Sequence, residues 1–199
     1  LLDAARRSTP RAVSTAGYLC CAGLHHKYTN RPTEALKNFF QARGDPNWGE
    51  EALCAMLDMK ITPLVEAIWA AAGDDEDALP DNFAVAYTGE ALDVCQQLLH
   101  LSRPRGEPTL RLRVWEAHVS LLSPVGSTEA ERGLEQLVDV VQVNKEHVPA
   151  LLAMATGFII LRQKPKARNQ LKRISKMPID PEYGDAFEQA WLCLAGMYF

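Results

Sequence analysis

Apolar residues along this chain recur every third or fourth position, the spacing of one face of an α-helix. The pattern runs through five segments anchored by Leu19, Leu53, Leu112, Leu151 and Trp191. Sustained alternation of apolar and polar residues, which would indicate half-buried strands, is nearly absent. The pattern therefore predicts an all-α protein.

A second kind of helix lies between these segments, and each has a small residue inside it: Ala35, Ala91, Gly133 and Ala167. Leu19 precedes Ala35 by 16 residues, and Leu53 follows Ala35 by 18. The same two intervals separate Leu151 from Ala167 and from Gly133. They add up to the 34-residue period of the tetratricopeptide repeat (TPR). We therefore predict a right-handed TPR superhelical solenoid of antiparallel helix pairs.

The predicted domain organisation is a single TPR solenoid over residues 1–199. Repeats are expected at about 16–45, 50–101, 109–145 and 148–177, with a partial repeat at 186–199. The second repeat is too long, so an insertion is predicted near residues 60–85. Within it, residues 72–82 are expected to lack regular structure, because an acidic segment with Gly and Pro buries too little apolar surface. The chain has no initiator Met and ends at Phe199 within a helical pattern, which predicts a fragment of a longer protein.

Small and large apolar residues are predicted to hold the helices together. A residue with a small side chain lets two helices approach each other to the lower end of the usual range of interaxial distances. The predicted helix-packing positions are Ala35, Ala91, Gly133, Ala167, Leu151, Met154, Phe158, Trp191 and Tyr198.

Net charge and cysteine usage narrow the class of protein. The formal net charge is −4 and the pI is about 5.8, which argues against a nucleic-acid-binding protein. No apolar run approaches the roughly 20 residues that span a bilayer, so no direct membrane span is expected. All five cysteines except Cys20 sit beside apolar residues on helical faces. That arrangement predicts free thiols in a reducing, intracellular compartment.

The stretch KPKARNQLKRISK, residues 164–176, reverses the sign of the overall charge. Ala167, Leu171 and Ile174 are predicted to form its buried stripe. Lys172, Arg173 and Lys176 are predicted to face outward, and Lys164 and Lys166 extend the positive field toward the start of the helix. One hypothesis is that these five residues bind an acidic partner surface. A solvated helix face is one alternative, and an RNA-binding helical repeat is another. The RNA hypothesis lacks interleaved aromatic residues for base stacking.

Residues with catalytic or metal-binding chemistry form no convincing motif. Cys21 and His25 stand four residues apart, but a structural zinc site needs four ligands and no second pair has suitable spacing. The acidic run at residues 74–77 lacks the ligand spacing of an EF-hand. Phosphate-binding loops, nucleophile elbows and HExxH motifs are missing from the sequence. We therefore predict no enzymatic activity, no cofactor and no metal.

Residues 30–57 and 146–177 resemble the tetratricopeptide repeat protein 21 family, the long TPR subunit of intraflagellar transport complex A. The resemblance implies a ciliary scaffold for retrograde transport, cilium assembly and ciliary import of membrane proteins. It implies as partners the other subunits of complex A, together with adaptors of transport trains or of membrane cargo. The implied location is the cilium or flagellum and the basal body, on the cytoplasmic side.

A generic cytosolic TPR adaptor that binds peptides or chaperone tails is the alternative function. Such adaptors clamp a carboxylate with basic residues on the inner face of a repeat. The corresponding positions in the best-matched repeat are Leu152, Thr156 and Ile159, which are apolar or nearly so. They disfavour a clamp and favour a groove for an apolar or helical segment. A pull-down that returned chaperone tails and no transport subunits would support the alternative.

Overall fold

The structure is a computed structural model that describes Ala4 and residues 14–72, 83–101, 106–123 and 127–198. Nine α-helices with defined bounds and a 3-10 turn at Pro181–Tyr183 lie in these ranges, which contain no strand, so the all-α prediction is confirmed. The helices are α1 (Ala16–Tyr28), α2 (Pro32–Ala42), α3 (Gly49–Ala72), α4 (Phe83–Leu101), α5 (Leu110–Leu121), α6 (Ser127–Val143), α7 (Val148–Ile160), α8 (Lys164–Ile174) and α9 (Gly184–Gly196).

Side-chain caps define where several helices begin. The Thr15 hydroxyl accepts the Tyr18 N–H at the start of α1, and the Thr109 hydroxyl accepts the Leu112 N–H at the start of α5. His147 caps α7 in the same way, because its Nδ1 accepts the Ala150 N–H at 3.2 Å. Each cap satisfies one of the four N–H groups that a helix leaves without an internal partner.

The turns after α1 and α7 have the same backbone geometry. Asn30 and Arg162 are the two non-glycine residues with positive φ among those described, at 56° and 57°. In the first turn the Arg31 N–H donates to the His26 carbonyl, and in the second the Gln163 N–H donates to the Phe158 carbonyl. This is the Schellman arrangement, which reverses the chain within three residues. The same type of turn therefore joins α1 to α2 and α7 to α8.

Two compact units divide the described chain. The first comprises the residues up to Lys60 together with Val94–Pro108. In it α1 packs on α2, and the Lys27 ammonium pairs with the Asp58 carboxylate. Its core side chains include Ala35, Phe39, Leu53, Leu57 and Cys95, each at most 1% exposed.

The second unit comprises Ile61–Asp93 and the chain from Thr109 onward. Here α5 pairs with α6, α7 pairs with α8, and α9 packs on α7 and α8. Its core side chains include Leu112, Leu121, Leu137, Leu151 and Leu171. Gly157 makes the close packing of α7 possible, since an added Cβ atom would lie 2.7 Å from a Leu134 methyl carbon and 2.8 Å from one of Leu121. The two units differ in size but share the same helix-on-helix packing.

The predicted insertion near residues 60–85 begins inside a helix. Residues 60–72 continue α3 to Ala72, with Pro63 in its interior. The rest of the acidic segment, residues 73–82, lies outside the described residues. The predicted repeat boundaries and the handedness of the superhelix stay predictions. No helix in the described ranges has both the length and the apolar character that crossing a bilayer demands.

Candidate protein-binding surface

Helix α8 presents one buried face and one charged face. Pro165 lies in its first turn, where a missing N–H costs nothing. Ala167, Leu171 and Ile174 are each 0% exposed, so the apolar stripe is fully packed. The opposite side is exposed at Asn169, Lys166, Lys172, Arg173 and Lys176, while Lys164 is half-buried.

Aromatic rings lie beneath several cations of this helix. The Lys166 ammonium lies 5.7 Å from the centre of the Phe158 ring. Lys172 and Arg168 both lie over the Tyr198 ring, at 5.6 Å and 5.4 Å from its centre. The negative face of a ring attracts a cation and orients its side chain without neutralising the charge. The cations therefore remain available to a partner's carboxylates.

Arg173 is also held by the backbone. Its guanidinium Nη2 donates to the Lys145 carbonyl oxygen at 2.6 Å, next to the start of α7. Among the described residues, Lys166, Lys172, Arg173 and Lys176 form no ion pair with a carboxylate. The outward face of α8 is thus a positively charged surface on which Lys166, Lys172 and Arg173 have defined contacts. We call Lys166, Lys172, Arg173 and Lys176 the basic face.

The helix dipole accounts for only part of this charge pattern. Lys172 and Arg173 lie in the last turn, where the partial negative charge of the helix end favours cations. Lys164 and Lys166 lie in the first turn, which contains no acidic residue. Cations there oppose the dipole and weaken the helix. Helix stability therefore does not explain the first-turn lysines.

The predicted helix-packing positions fall into two groups. Ala35, Gly133, Ala167, Leu151 and Met154 are buried, and Ala91 and Phe158 are half-buried. Trp191 and Tyr198 are 42% and 57% exposed. Trp191 contacts Phe187, with the ring centres 6.0 Å apart, and Tyr198 lies under the cations of α8. Arg168 was not among the predicted surface residues. Its proximity to Lys172 depends on the Tyr198 ring, which contacts both cations only in the folded chain.

The predicted peptide groove at Leu152, Thr156 and Ile159 is not open. Thr156 and Ile159 are each 1% exposed. The Thr156 hydroxyl accepts a hydrogen bond from the Trp69 indole Nε1 at 3.0 Å. That partner lies 87 residues away in the chain, so the sequence pattern of α7 carries no sign of it. These positions form a packed interface between helices, and a chaperone clamp cannot be built there.

Cysteine and histidine side chains do not converge on a metal site in the described parts of the chain. Cys21 and His25 are both exposed, and none of the five cysteines forms a disulfide. Cys20 is 0% exposed and Cys21 is exposed, because the buried face of α1 passes through Cys20 and Gly23.

Two family models match the chain. The model described as "Tetratricopeptide repeat protein 21 C-terminal ARM domain" matches residues 94–199, and "TT21 fifth ARM repeats domain" matches residues 1–61. The chain belongs to the tetratricopeptide repeat protein 21 family. Both descriptions name armadillo-type (ARM) repeats, which like TPRs are stacked helical repeats. The fold of the described residues agrees with this family membership.

Individual members of the tetratricopeptide repeat protein 21 family are similar along nearly the whole chain. Tetratricopeptide repeat protein 21B of Mus musculus is 34% identical over 200 residues, and that of Homo sapiens is 34% identical over 197. Tetratricopeptide repeat protein 21A of Mus musculus is 30% identical over 201 residues. Each alignment covers 98% of this chain and 15% of the relative. The chain therefore spans about one seventh of the length of these relatives.

Proposed function

We propose that this chain is part of a non-catalytic scaffold subunit of intraflagellar transport complex A. In this proposal it acts in retrograde ciliary transport, cilium assembly and ciliary import of membrane proteins. It works in the cilium or flagellum and at the basal body, on the cytoplasmic side. The resemblance of residues 30–57 and 146–177 to the long TPR subunit of that complex supports the assignment, as does membership of the family. A right-handed superhelix of the repeats over the whole chain is part of the same proposal.

The basic face of α8 is the surface proposed to hold a partner subunit. The observation that carries this role is the set of cations that form no ion pair with a described carboxylate, two of them lying over aromatic rings. A charged surface of one sign steers encounter with a surface of opposite sign and sets the register of docking. The expected partner surface is therefore acidic. Adaptors of transport trains or of membrane cargo are further candidates for the same role.

Charge reversal tests this role. Lys172→Glu, Arg173→Glu and Lys176→Glu are combined in the full-length subunit, which leaves Ala167, Leu171 and Ile174 unchanged. We expect the triple variant to fold and to lose at least one subunit of complex A from the affinity-purified assembly at physiological salt. The readouts are a circular dichroism melt for folding and quantitative mass spectrometry for subunit content.

A matched variant controls for the change in net charge. Arg31→Glu, Lys37→Glu and Arg132→Glu reverse three exposed cations outside α8 and should leave the assembly complete. If the complex containing the α8 variant assembles completely, the basic face is a solvated surface without a role in binding. Recovery of chaperone tails without any transport subunit would instead favour the cytosolic adaptor function.

A further inference from the structure

Ser175 lies at the C-terminal end of α8, next to the basic face. Its side chain is exposed, and its hydroxyl donates a hydrogen bond to the Lys172 carbonyl oxygen, with the two oxygens 3.0 Å apart. Lys172 and Arg173 precede it by three and two residues, and Lys176 follows it directly. Among the serines and threonines that the structure describes, Ser175 alone has Lys or Arg at both of those preceding positions. An exposed hydroxyl-bearing side chain therefore lies within a cluster of cations.

Basic residues two and three positions before a serine are the feature that one class of protein kinase, the basophilic kinases, recognises with carboxylates beside the active site. In the reaction the Ser175 oxygen attacks the γ-phosphorus of Mg²⁺-bound ATP, and the hydroxyl proton passes to the catalytic aspartate of the kinase. The bond between the γ-phosphorus and the bridging oxygen breaks, and ADP leaves. The kinase and ATP supply every other reactant, so this chain contributes the hydroxyl and the recognition residues.

The chain after Ser175 leaves the helix at once. Helix α8 ends at Ile174, and residues 178–180 are exposed and have no regular structure. Because kinases bind a substrate segment in an extended form, the last turn of α8, with Lys172 and Arg173, has to unwind first. Ile174 is 0% exposed and opposes this opening, but helix ends open more readily than helix interiors. We therefore expect the folded chain to react more slowly than a peptide, at the same serine.

We propose that Ser175 is a phosphorylation site for a basophilic protein kinase and that its phosphate weakens binding at the basic face. A phosphoserine carries a charge of about −1.5 to −2 at pH 7, so it offsets roughly half the charge of the four cations in the basic face. An acidic partner surface is then attracted less strongly. The inference rests on the proposed scaffold function and gives a means of regulating it.

The phosphate also acts on α8 itself. It lies at the negative end of the helix dipole, where an anion weakens the last turn. The hydroxyl hydrogen that the Lys172 carbonyl accepts is replaced by the phosphoryl group. The Lys172 ammonium, three residues earlier on the helix, pairs with the phosphate oxygens and leaves the Tyr198 ring. Both changes lower the number of cations that face a partner.

Thr29 provides a matched comparison within the same chain. It is exposed at the end of α1, and its hydroxyl donates to the His25 carbonyl oxygen at 2.8 Å. His26 stands three residues before it, and Lys27, two residues before it, pairs with the Asp58 carboxylate. Thr29 thus has the same position and hydrogen bond at a helix end but lacks the two preceding cations that a basophilic kinase binds.

Phosphorylation of the folded, full-length subunit is the first test. The protein is incubated with Mg²⁺-ATP and the catalytic subunit of cyclic-AMP-dependent protein kinase, a basophilic kinase, and the modified sites are mapped by mass spectrometry. We expect phosphate on Ser175 and none on Thr29. The Ser175→Ala variant should lose that phosphopeptide.

An unmodified Ser175 in the folded subunit would overturn the inference. A synthetic peptide of residues 170–180 then identifies the reason. If the peptide is modified, the folded subunit shields the serine, and if it is not, the kinase does not accept the sequence.

Partner binding by the phosphorylated subunit is the second test. The partner is the complex A subunit that the charge-reversal variant of α8 loses, and its affinity is measured by biolayer interferometry. We expect phosphorylation of Ser175 to weaken binding about tenfold at physiological salt, because the charge of about two exposed cations is offset. Ser175→Glu should weaken binding in the same direction. Thr29→Glu adds the same charge at the matched helix end and should leave the affinity unchanged.

Equal affinity of the phosphorylated and the unaltered subunit would overturn the regulatory role. That result leaves the proposed function intact, because charge reversal of the basic face removes a partner whether or not Ser175 is modified. If charge reversal also leaves complex A complete, the basic face holds no partner. The proposed role of that face then fails, and this inference fails with it.

Discussion

Gly133 lies so close to the carbonyl oxygen of Ala117 that a Cβ atom on the glycine would stand 2.9 Å from that oxygen. The same atom would stand 3.0 Å from the Leu121 backbone nitrogen. Backbone atoms of both helices set this contact between α5 and α6, together with the Leu121 Cγ atom at 3.0 Å from the added Cβ. The close packing of the two helices therefore requires glycine at this position.

Gly133→Ala is expected to force α5 and α6 apart and to lower the free energy of unfolding by about 1–3 kcal/mol. Gly89→Ala is the matched control, because no atom lies within 4 Å of its added Cβ. Inside α4 that change should stabilise the helix by about 0.5–1 kcal/mol. Thermal unfolding followed by circular dichroism measures both variants. Equal melting temperatures for the two would contradict the close approach at Gly133.

Arg162 occupies a left-handed conformation that Asn tolerates better, at φ 57°. Arg162→Asn should raise the free energy of unfolding by about 0.5–1 kcal/mol. The reverse change, Asn30→Arg, places an arginine in the equivalent turn and should lower it by a similar amount. Chemical denaturation of both variants measures the difference. The equivalence of the two turns would be wrong if both substitutions moved stability in the same direction.

His147 should make the second unit less stable in mild acid. Burial lowers the pKa of His147, and its Nδ1 can accept the Ala150 N–H only while it is unprotonated. Above the unfolded-state pKa of about 6.5 both states are neutral and stability is at its full value. As pH falls below that value the unfolded chain takes up the proton first, so stability declines until the pH reaches the folded-state pKa.

Denaturation midpoints at pH 7.5 and 5.5 measure this dependence on His147. His147→Asn retains a good helix cap without a titrating group. The variant should lose less stability than the unaltered chain over that range. An identical loss in both proteins would show that His147 is not the source of the acid sensitivity.

Two lysines of α8 should respond in opposite ways to removal of their charge. Lys166 opposes the helix dipole in the first turn, and Lys172 is favoured by it in the last turn. Each lies over an aromatic ring at nearly the same distance, so the loss of that contact cancels in the comparison. The Lys166→Gln variant should therefore have a higher melting temperature than the Lys172→Gln variant. The corresponding difference in free energy of unfolding is about 0.5–1 kcal/mol. The reverse order would show that the dipole does not govern this helix.

The cysteines should differ widely in their rate of alkylation. Burial raises the pKa of Cys193 to about 12 and that of Cys95 to about 11, so little reactive thiolate exists at pH 8. Cys193 should react on the order of a hundredfold more slowly in the folded chain than in urea. Cys21 is exposed and should change far less. Peptide mapping after brief treatment with iodoacetamide measures each site. Comparable folded rates for Cys193 and Cys21 would contradict the shielding.

Apolar periodicity alone determined which faces of the helices are buried in the helix hairpins. Leu151 and Ala167 stand at the repeat interval and are both 0% exposed, because a hairpin of two short helices must bury the stripe that each presents to the other. The basic face of α8 could be predicted for the same reason. Once Ala167, Leu171 and Ile174 point inward, the lysines between them must point outward.

The tertiary structure alone decided what lies against the outer faces. The apolar pattern of residues 191–198 put Trp191 and Tyr198 among the packing residues, yet they are 42% and 57% exposed. The pattern of α7 predicted an open groove at Thr156, where the Trp69 indole instead donates a hydrogen bond. The spacing of apolar residues along a helix indicates that one face is apolar. It does not indicate which distant segment of the chain covers that face. That choice depends on packing between residues far apart in the chain, and the same packing brings Glu66 to the edge of a cleft formed with α9.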